Sequence, residues 1–505
     1  MKIIGTPTFK YLLFYNFATS YQQPLTMSFN SIEFIIFLPI VFLLYWFVFK
    51  KTNKQNLLIV TASYVFYGWW DWRFLILIAI TSLCSYASGL LIERWEGKRQ
   101  WQKATSAANI VLNISILAVF KYYNFFINNL NDVFATLGMT LDWPTANIIL
   151  PVGISFYTFQ ALSYSIDVYR KKIAPEREIV AFFAFISFFP QLVAGPIERA
   201  THLLPQFVKS RKFDYGKAVD GCRQMLWGFF KKLIIADSCA EIVNGVWSNY
   251  AHYPSINLLI CSILFSFQIY CDFSGYSDIA IGCARLFGIN LSRNFNIPYL
   301  SRSLPEFWRR WHITLMSWFR DYVYFPMGGS RNGLLRTVFN TFVVFFISGL
   351  WHGADWSFVL WGLFHGTFIS LYRFLPSRGK FELNVGHKRQ LPSAKELAMI
   401  VFTFFLVTVG WILFRAPNIT MAIDFMRHMC DRSLLCFDNL IDTWPLLLCL
   451  GLMIVEWIQR YKQHALQLSG KIFAKRWVRW ALYVLIAMYT LLWHESGQIF
   501  IYFQF

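Results

Sequence analysis

The sequence predicts an all-α polytopic membrane protein with an internal cavity, and three observations support this. Of its 505 residues, 56% are hydrophobic and 20% are aromatic. Only 14% are charged, against roughly 25% in a typical soluble domain. Apolar segments recur along the whole chain, and several are shorter than a bilayer span requires.

A membrane-spanning helix needs about 20 largely apolar residues. Taken in order, the apolar segments that predict helices are 32–49, 55–69, 74–92, 107–128, 148–164, 179–194, 222–238, 258–272, 276–287, 308–326, 338–350, 357–375, 397–414, 444–458 and 478–493. The short ones predict re-entrant helices. Broken backbone at bilayer depth is tolerated only where protein or a water-filled cavity surrounds it, so they also predict an internal cavity.

The net charge of +19 resides in short basic loops between the apolar segments. These loops are 93–103, 170–177, 209–217, 373–395 and 460–479. Their pattern is typical of cytoplasmic loops that contact anionic membrane lipid. It argues against a nucleic-acid partner, which a continuous basic surface would indicate.

The domain organisation is simple. Residues 1–26 are interpreted as an N-terminal extension, because Met27 and the residues after it resemble a natural start. Residues 27–505 are predicted to form one integral membrane domain, because no internal repeat, low-complexity tract or soluble domain interrupts the apolar segments.

The densest polar block begins with DFSGYSD at 272–278, between two apolar segments. Asp272 and Asp278 predict a polar helix break that contacts substrate or, equally, one whose hydrogen bonds are satisfied internally. The glycines of the block would permit close helix approach.

The block continues with EFWRRWH at 306–312. Glu306 and Arg310 are four residues apart and are expected to pair. The cluster could instead contact the substrate, with Glu306, Arg309, Arg310 and Trp311 as the candidate residues. Its arginines could grip a phosphate-bearing donor, because guanidinium groups suit bidentate phosphate contacts. An interfacial anchor of arginine and tryptophan, including Trp311, is the structural alternative.

His352 is the strongest candidate for chemistry, because an ionisable residue in an apolar segment is costly unless it functions. The glycines that flank His352 are expected to let a substrate approach. Trp351, a candidate substrate contact, precedes His352, and His312 lies forty residues earlier. This pair predicts proton-transfer chemistry inside the membrane. His365 is a weaker candidate, either supporting the site or bonding a neighbouring helix. No metal is predicted, because ligand spacings such as HExxH are absent from the sequence.

These motifs together resemble the membrane-bound O-acyltransferase family, and most closely its bacterial alginate O-acetylation branch. The resemblance is carried by DFSGYSD at 272–278, EFWRRWH at 306–312, PMGG at 326–329 and GLWHG at 349–353. It implies a ring of tilted helices around a central funnel or tunnel. It also implies that His352 is the active-site histidine and that His312 is the second motif residue.

The resemblance further implies transfer of an acyl group from a thioester to a hydroxyl. Acetyl-CoA on the cytoplasmic side is the expected donor, and no bound cofactor is expected. Alginate or another exopolysaccharide is the expected acceptor. It would be reached through a separate extracytoplasmic SGNH-type acetyltransferase and the polysaccharide synthesis machinery at a bacterial inner membrane.

Three alternatives stay open at this stage. Peptidoglycan could be the acceptor for the same chemistry. A transporter or flippase for polysaccharide precursors would also need a cavity and many helices. A non-catalytic scaffold for a cell-envelope complex is the third. For the enzyme, His352 is assigned as general base, with transient acetylation of its imidazole as the second possibility.

Overall fold

The computed structural model describes residues 27–139, 143–146, 148–374, 391–435, 440–492 and 500–501. The predicted extension 1–26 and most of the basic loop 373–395 lie outside the described residues. Within the described residues the regular elements are all helices and no strand occurs. The predicted all-α class is confirmed.

The helices are numerous, and many are short. The α-helices of the first half are Ile32–Leu43, Thr52–Gly68, Leu75–Arg94, Arg99–Leu117, Tyr123–Thr136, Ile154–Tyr169, Ile179–Ser187, Phe189–Leu192, Ala200–Val208, Tyr215–Phe229 and Asp237–Ser248. Those of the second half are Ser255–Leu286, Leu304–Arg310, Ile313–Phe319, Gly333–His352, Trp356–Leu371, Ala394–Arg415, Ile419–Met429, Trp444–Ile458, Lys471–Ala474 and Arg476–Leu492. The π-helical segments are Leu44–Val48, Ala118–Tyr122, Phe230–Ala236 and Arg320–Tyr324, and the 3₁₀ turns are Trp72–Phe74, Tyr250–His252, Pro298–Leu300 and Arg432–Leu435.

Five helices in the described part of the chain are long and apolar enough to cross a bilayer. They are Trp72–Arg94, Arg99–Thr136, Ser255–Leu286, Gly333–His352 and Ala394–Arg415. Ile32–Val48, Trp356–Leu371 and Trp444–Ile458 are apolar but shorter. The protein is therefore a multi-pass membrane protein, with short helices of the kind expected around an internal cavity.

The predicted helix break at Asp272–Asp278 is wrong, because one helix runs without interruption through Ser255–Leu286. Its glycines pack directly on the neighbouring helix: a Cβ on Gly275 would lie 2.8 Å from the Gly228 carbonyl oxygen. Both aspartates are neutralised by lysines of the segment Phe230–Ala236, so they do not need to leave the helix. Tertiary pairing overrides the local preference for a turn.

Two ends of the molecule can be distinguished by their contacts. Ion pairs join Lys171 to Glu96 and Arg177 to Glu93, and the Arg170 guanidinium donates to the Asp321 carbonyl oxygen. We call the surface formed by residues 93–99, 170–178 and 320–321 the basic face. The helical run Arg99–Thr136 leads away from it to the opposite face, where the Trp356 indole donates to Asn129 at 2.7 Å.

Candidate active site

His352 is the last residue of the helix Gly333–His352, which we call the His352 helix. Lys121 binds its end: the ammonium lies 2.6 Å from the Trp351 carbonyl oxygen and 3.1 Å from that of His352. The Tyr122 hydroxyl donates to the Leu350 carbonyl at 2.7 Å. The last carbonyls of a helix lack partners within it, and Lys121 and Tyr122 supply those partners here.

The glycines around His352 allow close helix packing. A Cβ on Gly349 would lie 2.4 Å from the Phe358 carbonyl oxygen, and one on Gly353 would lie 2.1 Å from the Phe358 ring. Phe358 belongs to the next helix, Trp356–Leu371. The expectation that these glycines make room for a substrate is not met, because helix–helix contact takes that room.

His312 lies in a strained turn before the helix Ile313–Phe319. Its φ of 45° places a non-glycine residue in the left-handed region, which is uncommon and often marks a functional site. The turn is held by two backbone bonds, from Asn296 to Arg310 and from Ile313 to Asn294, both 2.9 Å.

Asn294 determines the tautomer of His312. Asn294 Oδ1 accepts from the Thr314 hydroxyl at 2.9 Å and lies 3.1 Å from His312 Nδ1. The Thr314 oxygen in turn accepts from the Ile197 amide, so its proton points to Asn294. An oxygen at this position requires a proton on Nδ1, which leaves the lone pair of a neutral imidazole on Nε2.

The two histidines lie close together in buried positions. Their ring centroids are 6.5 Å apart, and His312 and His352 are 0% and 4% exposed. The Trp351 ring contacts both, at 5.8 Å and 4.8 Å between centroids. Trp361 and Phe414 enclose the other side of His352. The predicted convergence of His312, His352 and Trp351 is present in the structure.

A small cavity reaches His352 on the side away from the basic face. It has a volume of about 50 Å³ and is lined by Lys121, residues 150–156, Val193, Trp351 and His352. Gly153 shapes its wall, with a φ of 74° and room for no side chain, because a Cβ would lie 2.5 Å from the Leu192 carbonyl oxygen. The space holds roughly three water molecules. His352 is therefore accessible to a small polar group.

A second small cavity, of about 40 Å³, approaches His312 from another direction. It touches Asn294, the partner of His312, and its other polar lining includes Lys231, Asp278, Arg293 and Lys462. His312 is thus linked to this second cavity through Asn294, and His352 lines the first.

Asp272 and Asp278 belong to a buried charge network away from the histidine rings. Lys231 lies 2.6 Å from Asp278, and Lys232 lies 2.8 Å from Asp272 and 2.7 Å from Asp237. Asp278 lines the second cavity. Asp272 instead accepts from the Ile501 amide at 2.6 Å.

In the motif at 306–312, Arg310 is buried and Arg309 is exposed. Glu306 pairs with Arg310 at 2.8 Å, as predicted, and with Arg302 at 3.1 Å, so Arg310 is committed to a buried ion pair. Trp311 is 1% exposed and packs on Phe307 and Trp411 in an aromatic core.

Arg309 is exposed, whereas the next residue of the same helix, Arg310, is buried. It lines a groove of about 340 Å³ together with Arg320 and Arg373. Trp308, Phe345 and other apolar side chains form the floor of this groove. Arg320 belongs to the basic face. The groove combines cationic groups with apolar surface.

His365 is fully buried beside this groove and does not line either cavity that approaches the histidine pair. The Trp308 indole donates to its Nδ1 at 3.4 Å. His365 thus bonds a neighbouring helix. Among the described residues, no group of three or more His, Cys, Asp or Glu side chains is placed to hold a metal ion.

Two residues of the site were not assigned from the sequence. Asn294 stands in a polar stretch before the arginine motif, but nothing in the sequence shows that it faces His312. Lys121 interrupts the apolar stretch of residues 107–128, and a lysine in such a segment is itself a signal of function.

Comparison with known proteins identifies the family. Residues 64–381 match the model of the membrane-bound O-acyltransferase family, MBOAT. The chain belongs to this family. It is therefore an acyltransferase, and the His352 motif lies within the matched region.

Relatives across the family share most of the chain. It is 39% identical over 397 residues to the probable alginate O-acetylase AlgI of Azotobacter vinelandii, covering 78% of this chain and 76% of that protein. It is 34% identical over 438 residues to the peptidoglycan O-acetyltransferase of Helicobacter pylori, covering 80% of each. It is 28% identical over 282 residues to the teichoic acid D-alanyltransferase of Bacillus subtilis, covering 54% of this chain and 70% of that protein.

Proposed function

We propose that this acyltransferase moves an acetyl group from a thioester donor at the cytoplasmic basic face toward hydroxyls of an extracytoplasmic polysaccharide. One observation carries the proposal: His352 lines a small cavity on the side away from the basic face, shares it with Lys121, and lies beside His312. The relatives named above as O-acetylases of alginate and peptidoglycan support acetyl as the transferred group.

In the proposed reaction an acceptor hydroxyl enters the His352 cavity and His352 removes its proton. The hydroxyl oxygen attacks the thioester carbonyl carbon, the C–S bond breaks, and the thiolate takes the proton back from His352. General base catalysis contributes about 10²–10⁴-fold, and orientation within the cavity adds to it. His312, held by Asn294, positions His352 or shares its proton.

Acetylation of His352 itself is the alternative route. It predicts a labelled protein when acetyl donor is supplied without any acceptor, and direct attack predicts none.

Acetyl-CoA is the proposed donor. The Arg309 groove is lined by the guanidinium groups of Arg309 and Arg373, by Arg320, which also pairs with Asp321 at the exposed surface, and by apolar side chains for the rest of the molecule. Arg310, Glu306 and Asp272 are occupied by ion pairs, and Trp311 is buried, so we assign these four to the framework around the site. Trp351 and Asp278 line cavities and remain proposed substrate contacts.

The acceptor and the partner complete the proposal. A polymer cannot enter a cavity of about 50 Å³. We therefore propose that a separate SGNH-type acetyltransferase outside the inner membrane passes the acetyl group to the polysaccharide. Alginate or a related exopolysaccharide is the preferred acceptor, and peptidoglycan is the second candidate, supported by the Helicobacter pylori relative.

The test uses the purified protein in detergent with acetyl-CoA labelled in the acetyl group. Thiol release with transfer of label to a small sugar alcohol supports the proposal. A transporter or scaffold would leave the thioester intact. Liposomes that hold the protein without a partner are expected to produce no acetylated polymer, and recovery of such polymer would contradict the need for a partner.

A further inference from the structure

Lys121 is a buried lysine for which the described part of the fold provides no carboxylate partner. It lies in the apolar run Arg99–Thr136, and among the described residues no carboxylate pairs with it. Its contacts are the carbonyl oxygens of Trp351 and His352, at 2.6 and 3.1 Å, and the Trp351 ring at 5.9 Å. A cation buried in this way is costly, so its retention indicates a function.

Binding the carbonyls at the end of the His352 helix does not by itself require a positive charge. The neighbouring residue Tyr122 binds the Leu350 carbonyl of the same helix end with a neutral hydroxyl. Neutral side chains can satisfy helix-end carbonyls, whereas an ammonium must also be stripped of water. Lys121 is the charged side chain that shares the His352 cavity.

The geometry leaves one donor for a ligand. An ammonium has three N–H groups, and two of them meet the carbonyl oxygens of Trp351 and His352. Because Lys121 also lines the cavity that contains His352, the third N–H is available to a group bound there. Lys121 and His352 therefore line the same cavity.

We propose that Lys121 is a catalytic residue that stabilises the oxyanion of the transferred acyl group. This rests on the proposed acetyl transfer. When the acceptor oxygen bonds to the thioester carbon, the carbonyl electron pair moves onto its oxygen, and the Lys121 ammonium donates a hydrogen bond to that oxyanion. When the C–S bond breaks, the carbonyl re-forms and the hydrogen bond weakens. A donor held in place at a buried site acts more strongly on this developing charge than a donor in bulk water does.

The experiment compares K121M, K121Q and K121R with the wild type in acetyl transfer from labelled acetyl-CoA. K121Q keeps N–H donors for the two carbonyls but removes the charge. Loss of one oxyanion donor costs about 10²–10³-fold in kcat, so K121M and K121Q should lose that much with KM changed less than about threefold. K121R keeps a cation and should regain at least about tenfold over K121M.

Y122F is the matched control, because it removes a neighbouring cap of the same helix without touching charge. It should stay within about threefold of wild-type kcat. The inference is overturned if K121Q keeps wild-type kcat, or if K121Q and Y122F lose kcat equally. If K121M does not fold, as judged by thermal unfolding, K121Q and K121R decide the question. Failure of the wild type to transfer acetyl would instead refute the proposed function.

Discussion

At the scale of single residues, the site is built from contacts between distant parts of the chain. The sequence identified His352 and His312 because imidazoles in apolar segments are unusual. It could not identify Asn294 or Lys121, whose roles depend on bonds to His312 and to the end of the His352 helix. It also grouped Arg309 with Arg310, although Arg309 is exposed and Arg310 is buried in an ion pair.

The bond from His312 to Asn294 yields a first prediction. N294L removes the acceptor for the His312 N–H and the Thr314 hydroxyl and keeps the branching of the side chain. An unsatisfied buried donor costs about 1–3 kcal/mol, so we expect kcat to fall about tenfold or more as His312 reorients. Steady-state acetyl transfer measures this.

N113L is the control for that variant, because Asn113 is buried and bonded to Asn109 in its own helix. It should affect stability more than kcat. Equal loss of kcat in both variants would show that Asn294 acts only on the fold.

At the scale of elements, apolar length and composition predicted most helices well. The helix Trp444–Ile458 has the predicted bounds, and the ends of several others differ by a few residues. The predicted single helices 308–326 and 179–194 are wrong, because the first is interrupted at His312 and the second at Phe188.

The error at Ser255–Leu286 arose because polar and glycine residues were interpreted as a break. In the fold they form ion pairs with Lys231 and Lys232 and permit tight packing. These contacts join segments that are distant in sequence, so a short stretch of sequence cannot predict them.

Helix packing behind His352 yields a second prediction. A Cβ on Gly362 would lie 2.2 Å from the Phe345 carbonyl oxygen of the His352 helix. G362A should therefore force the two helices apart and destabilise the protein by about 1–3 kcal/mol. We expect a lower Tm in detergent and reduced acetyl transfer, because the end of the His352 helix would move.

G451A provides the comparison. Gly451 lies in the helix Trp444–Ile458 and a Cβ there would meet nothing within 4 Å. Since alanine favours a helix by about 1 kcal/mol over glycine, G451A should be neutral or stabilising. A Tm for G362A as high as that of G451A would argue against the packing described.

At the scale of the whole molecule, the basic face marks one end, and the histidine pair lies between that end and the opposite face. The composition alone predicted a polytopic membrane protein, and the basic loops predicted the basic face. The sequence could not show that His352 opens toward the far side, because this depends on how the Lys121 segment, residues 150–156 and the His352 helix meet.

A pH effect on overall stability is the third prediction. The Glu198 carboxylate, 2.7 Å from His202, raises the pKa of this histidine above its ordinary value, outside the candidate spans. A raised folded pKa stabilises the protein below the unfolded pKa of about 6.5, and the effect is lost as pH rises through the folded value.

H202Q should therefore lower Tm most in mildly acidic buffer, and the difference from wild type should vanish by about pH 9. H252Q, a change at an exposed histidine, controls for general effects of histidine loss. A Tm difference for H202Q that is constant with pH would show that the Glu198 contact is not ionic.

The most direct test of the account is acetyl transfer by purified H352A, compared with wild type and with H365Q, a change at a buried histidine that bonds Trp308. All three must first show cooperative thermal unfolding. The account predicts that H352A loses about 10²–10⁴-fold in rate, while H365Q keeps most of the wild-type rate. Folded H352A with full wild-type activity would contradict the account.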